Sequence, residues 1–223
     1  TGVINTSTLL GDHDLNFDAV HGSTHQIVYN SEPGQHITVN IDASDPHNPG
    51  PLEVGYEGPP RLRIADGHNI VSGDGYLGYA ADSHGEAFVS GPSTSWTVGE
   101  RLYVARQGDA TLDVAAGAEV AAKRIDVGLL SSSVGMITVE GGGSTVRTDR
   151  LVVADRGHGK IEVTGGAKLQ SGVTAVGNYT EGEVAVRGPG SMWEIHSDHF
   201  DVGLRNHSSG TVIIEDGGSL SSK

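Results

Sequence analysis

Carboxylates, histidines and glycine-rich loops are the groups in this chain whose chemistry is worth testing first. A glycan-cleaving or calcium-binding site needs acids that converge, either as an acid–base pair or as a cage of oxygens. Asp113 and Glu162 stand at matching points of two short alternating segments, as do Glu53, Asp126 and Asp201 in a second set. The densest run of possible metal ligands is His196-Ser197-Asp198-His199. Two histidines three apart on an extended segment face different ways, and no third ligand follows nearby. His84, His158 and His207 precede similar segments, but 74 and 49 residues separate them, which places other structure in between. Gly141-Gly142-Gly143-Ser144 lacks the lysine and the following helix of a phosphate loop, so it reads as a turn. No nucleophile elbow, HExxH motif or aspartate-rich calcium nonapeptide occurs. Tyr76 and Tyr103 share one outward row and could form an aromatic strip or a local packing pair.

The elements that would position these groups follow from an internal repeat. Leu52-Glu53-Val54-Gly55 recurs as Leu102-Tyr103-Val104-Ala105, Leu151-Val152-Val153-Ala154 and Phe200-Asp201-Val202-Gly203, at spacings of 50, 49 and 49 residues. Weaker copies at Leu77-Gly78, Ile125-Asp126-Val127-Gly128 and Val176-Gly177 divide that repeat in two. A second alternating pair follows each: Leu62/Ile64, Ala87/Val89, Leu112/Val114, Ile137/Val139, Ile161/Val163, Val184/Val186 and Val212/Ile214. Two residues before each pair stands Pro60, Gly85, Ala110, Gly135, Gly159, Gly182 or Gly210. A third apolar position follows Gly-x-x, as at Ile70, Val120, Leu169 and Leu220, or ends a Ser-x-Trp-like run, as at Trp96, Val146 and Trp193.

Three period-two segments in about 24–25 residues, separated by glycine-rich turns, predict one coil of a three-sided parallel β-helix. Stacked coils put equivalent strands about 4.8 Å apart, and seven coils span about 34 Å. Corner glycines are expected to supply positive φ. A four-stranded propeller blade also fits 49 residues, but a blade does not resemble itself at half its length. A β-sandwich is the other competing architecture. In the predicted stack the outward middle residues read Arg63, Phe88, Asp113, Thr138, Glu162, Ala185 and Ile213 on the second strand. On the first they read Glu53, Tyr76, Tyr103, Asp126, Val152, Ala175 and Asp201. Neither row sets two acids side by side. The residues therefore indicate no catalytic, cofactor-binding or metal site, and they point to no particular partner-binding residue.

Residues 1–50 fall outside the repeat register yet alternate at Leu15/Phe17, Ile27/Tyr29 and Ile37/Val39/Ile41. They are expected to form either an N-terminal cap or one or two irregular coils, with Asp45-Pro46-His47-Asn48-Pro49-Gly50-Pro51 as a turn or boundary before the β-helix at 51–223. The chain begins at Thr1, which suits a removed signal or an excised segment, and it stops partway through a coil, so further coils are expected to follow. The net charge of −14 disfavours nucleic acid and anionic membrane surfaces as partners, and no apolar run is long enough for a membrane-spanning helix. Cysteine is absent, as suits a chain exported unfolded or one from the cytosol.

From Leu151 to Ile195 the chain reads Leu-x-Val-Ala, then Gly165-Gly166-Ala167-Lys168-Leu169, then Gly188-Pro189-Gly190-Ser191-Met192-Trp193. This pattern resembles the repeat of autotransporter (type V secretion) passenger domains, over roughly residues 52–223. The resemblance implies a right-handed parallel β-helix, carried to the bacterial cell surface outside the outer membrane. It implies adhesion to a host surface or glycan, or self-association with another copy, without catalysis. The alternatives on the same scaffold are a polysaccharide lyase or hydrolase and a passive stalk displaying another domain.

Overall fold

In the computed structural model residues 2–6, 14–32, 35–44, 47 and 49–222 are described, and for 2–6, 25–32 and 35–40 only the backbone course is given. Among these residues every regular element is a β-strand. The strands stack into two long parallel ladders, one of 10 strands and one of 8, each joining a strand to its counterpart one coil away. This is the parallel β-helix that the repeat predicts, with seven coils from Leu52 onward.

The register is the predicted one. Leu62, Ala87, Leu112, Ile137, Ile161, Val184 and Val212 pair in succession along the second strand. All but the last are completely buried. A second column, Ile64 to Val186, runs beside it. On the last described coil Ile214, next in that column, is 40% exposed. The interior is thus one continuous cluster of aliphatic side chains, stabilised by apolar area that only neighbouring coils remove from water.

Three faces arise from only two open turns. The third strand of one coil and the first strand of the next form single strands such as Ser95–Val104, Glu119–Val127 and Thr145–Val153. Within Thr145–Val153, Val146 and Thr148 point inward, two exposed residues follow, and Leu151 points inward again. That break in the two-residue period bends the strand and makes the third corner.

The doubled, 49-residue period has a structural cause. Thr94, Ser144 and Ser191 are buried, and their hydroxyls accept from the backbone N–H of Gly67, Gly117 and Gly166 one coil below. Each bond ties coils into a pair, so the sequence repeats every second coil. Packing shows the same alternation. Trp96 fills space where Gly75 has no side chain, since a Cβ there would stand 2.9 Å from the indole. Trp193 shares its coil with the small Thr174. Both indoles are fully buried, and each donates its N–H to a serine one coil below, Ser72 at 3.1 Å and Ser171 at 2.9 Å. A buried indole without such a partner would cost about 1–3 kcal/mol.

The corner glycines divide the expected task. Gly128 does adopt positive φ, at +70°. The glycines two residues before the buried pair of each second strand do not. Gly135 is there for room, because a Cβ would come within 2.5 Å of the Val104 carbonyl.

Before Leu52, Leu15–Phe17 pairs in parallel with Arg61–Ile64, which adds a strand to the second ladder. Ala43 accepts from the Val71 N–H, and Ile41 and Ala43 lie in the common core. Between these two points the chain makes an antiparallel hairpin, Thr24–Glu32 with Gln35–Asp42, and Gly2–Thr6 lies parallel on its second strand. Of the proline-rich boundary stretch, Asp45, Pro46 and Asn48 lie outside the described residues, as do Thr1 and Lys223.

Candidate functional site

The outward rows take the order read from the repeat. Asp113 and Glu162 are separated by Thr138, so they stand two coils apart. Burial pushes the Asp113 carboxyl up, Glu86 and Glu140 add to this, and a hydrogen bond with Thr138 opposes it. No second acid adjoins Asp113 along its row, between Phe88 and Thr138. His196 lies 4.0 Å from Glu194. Among the described residues no three histidine, cysteine, aspartate or glutamate side chains are placed to hold a metal. His84 and His158 occupy the same rung of the second-strand ladder with Asp109 and Val134 between them. His207 does not. It falls two residues short of Ser209, the residue in that rung, because the turn between the first and second strands of its coil is two residues longer than the turn before His158.

The first strand's outward row builds something more organised. Its order is Glu53, Tyr76, Tyr103, Asp126, Val152, Ala175, Asp201. Tyr76 and Tyr103 stack with ring centroids 4.8 Å apart and planes within 7°, the strand spacing itself. Above them Asp126 is completely buried. Its oxygens accept from Arg101 Nε at 2.5 Å and Arg124 Nη2 at 2.7 Å, so the pair is charge-assisted and satisfied. Arg101 also lies 4.4 Å over the Tyr103 ring.

The turn after the first strand carries a parallel row. Its backbone keeps the ladder going, with Tyr79 N–H donating to Gly55 O and Tyr179 N–H to Asp155 O. Tyr56 stacks on Tyr79 at 5.5 Å, and Tyr76 meets Tyr79 edge-on at 5.5 Å. Arg106 lies 4.4 Å over Tyr79. Farther along, Tyr179 is 45% exposed and sits between Arg156 at 5.6 Å and Arg205 at 5.5 Å. Ring faces hold the guanidinium groups by cation–π attraction, which uses none of their N–H donors on a carboxylate. Among the described residues Arg106, Arg156 and Arg205 have no carboxylate partner, whereas Arg61, Arg63, Arg101, Lys123, Arg124, Arg147, Lys160 and Arg187 do.

Because most tyrosine faces here are taken by neighbours, this corner offers phenol hydroxyls and guanidinium edges. It suits polar recognition over a length of the rod. Comparison of the chain with protein-family models, with curated proteins and with solved structures found no match. Tyr76 and Tyr103 were legible as a row. Tyr79, Tyr179 and the three arginines were not followed, although Arg106, Arg156 and Arg205 recur at 50 and 49 residues and Tyr79 comes one residue after Gly78.

Proposed function

We propose that this chain is a non-catalytic scaffold of a secreted bacterial surface protein, of the autotransporter passenger type, acting in adhesion or self-association. The observation that carries the reading is the corner row of three ring-held arginines without carboxylate partners, spread along the axis of a coiled stack. A rod that repeats one weak contact along its length gains avidity by addition, with no deep pocket required. The likeness of Leu151–Ile195 to the passenger repeat supports export to the cell exterior. A host-surface molecule, a glycan or a second copy would then be the partner. Displaying the chain on a non-adherent bacterium tests this. Gained clumping, or gained attachment to host cells or glycan-coated surfaces, is expected. Display without either gain would favour a passive stalk and overturn the reading.

A further inference from the structure

The bend before the first strand carries its own periodic charge. Glu100, Asp149 and Asp198 recur at intervals of 49 residues, and all three are exposed. They stand on the third, fifth and seventh coils. Arg106, Arg156 and Arg205 occupy the turn at the other edge of the same face, on the same three coils. Glu100 is already held by Lys123 at 2.5 Å. Asp149 and Asp198 have no ion-pair partner among the described residues, and neither do Arg106, Arg156 and Arg205, so both edges of this face carry charge left unpaired inside the molecule.

We propose that this first-strand face is where two copies of the chain meet, related by a two-fold axis parallel to the stacking direction. The proposal deepens the self-association reading and rests on it. When two such faces turn toward each other about that axis, the acidic edge of one lies against the arginine edge of the other. Every coil keeps its height. Asp149 then meets Arg156 of the second copy, Asp198 meets its Arg205, and the symmetry makes each contact twice. A two-fold axis across the stack would instead set acid against acid and arginine against arginine, which selects one arrangement.

The fifth coil fits doubly. Asp149 lies outside Arg150 on one edge, and Arg156 lies outside Asp155 on the other, so the order of charge is reversed between edges. Facing edges therefore also bring Arg150 against Asp155. Among the described residues Arg150 has no ion-pair partner, and the Asp155 carboxylate accepts only from Asn178, at 2.5 Å. Between the edges the stacked Tyr76 and Tyr103 and the small Ala175 are half-buried, and Asp126 and Val152 between them are buried, so a largely apolar centre lies inside a charged rim, as in protein interfaces. Six residues across and six coils high make a footprint of about 20 Å by about 29 Å. That is about 600 Å² per copy, at the small end for a specific contact. Association should therefore be weak and should fall with salt.

Sedimentation of the intact chain tests this with two charge-reversed variants, Asp149→Arg with Asp198→Arg, and Arg156→Asp with Arg205→Asp. The unaltered chain is expected to dimerise at low salt and to dissociate in high salt. Each variant alone should be monomeric, because like charges face each other in its own dimer. An equimolar mixture of the two should recover the dimer, because every facing pair is again opposite. Unchanged melting curves show that both variants fold. Variants that dimerise like the original, or a mixture that stays monomeric, would overturn the proposal. Beads coated with each protein separate it from the broader reading. Clumping that survives both variants removes this face and keeps self-association; an unaltered chain that neither dimerises nor clumps removes both.

Discussion

The second-strand face and the first-strand face use the same outward-pointing residue types to opposite ends. On the second-strand face the cations are spent within the molecule. Arg61 meets Glu86 at 2.6 Å, Arg63 meets Asp18 at 2.6 Å, and Lys160 bridges Glu162 at 2.8 Å and Glu183 at 3.3 Å. Arg187 joins Glu162 and Glu215. On the first-strand face the turn arginines lie on tyrosine rings, which fix their position without neutralising them. The second-strand face cross-braces neighbouring coils; the first-strand face braces Asp126 with Arg101 and Arg124 but leaves its turn arginines without a carboxylate. A parallel stack produces this freely, since changing one outward residue changes which neighbour it meets one coil away while the interior columns stay intact.

Breaking what lies beneath both faces should have the largest effect. Val163 is completely buried between Val139 and Val186, so Val163→Asp places an unpaired charge between coils. The expected loss exceeds about 4 kcal/mol, read as loss of the cooperative melting transition; a curve matching the original would refute the column. Gly128→Ala comes next. Its Cβ would stand 2.1 Å from the His158 carbonyl oxygen at a φ of +70°. A drop of several kcal/mol is expected in denaturant unfolding, because the corner joining first to second strand has no room to yield.

Which parts of this were legible follows from the physics of each. The interior columns were readable because a buried position tolerates only small or aliphatic residues, which imprints Leu112, Ile137 and Ile161 on the sequence at coil spacing. The order of the outward rows came with them, since strand periodicity fixes both faces together. The turn residues carry no such imprint. A turn of a stack can lengthen, as the one holding His207 does, so position there is not set by counting from the next strand. The turn tyrosine–arginine contacts join residues 23 to 27 apart through side-chain reach, and only the three-dimensional structure shows that Arg106 lies on Tyr79. Likewise the cause of the paired-coil period, a serine or threonine hydroxyl one coil above a glycine N–H, needs the three-dimensional register.

Smaller substitutions should separate the two faces. Lys160→Ala removes two inter-residue ion pairs on the second-strand face. These are partly exposed, so the cost is about 0.5–1 kcal/mol, a small fall in melting temperature with sedimentation unchanged. Arg205→Ala on the other face removes no ion pair. It should leave the melting temperature within error and weaken dimer formation. If the two effects were exchanged, the assignment of bracing to one face and association to the other would be reversed.

The finest distinction is the response to pH, read from one strongly displaced group on each face. Asp18, bonded to Arg63 at the start of the second-strand face, has its carboxyl held down to about 2. The hydrogen bond from the His21 ring is the main cause, and burial works against it. A lowered folded-state value means the unfolded chain takes up the proton first. That contribution is therefore complete above the ordinary carboxylate value and is lost as pH falls from about 4 toward about 2. Tyr76 on the first-strand face is displaced the other way, pushed up to about 12 by burial and then by Asp74, whose carboxylate lies 3.3 Å from the phenol oxygen. There the unfolded chain loses its proton first, so stability falls as pH rises from about 10 toward about 12. Denaturant unfolding across pH should show Asp18→Asn flattening only the acid limb and Tyr76→Phe only the alkaline limb. A variant that flattens both would mean the faces are coupled through the core, in place of two independent surfaces on one interior.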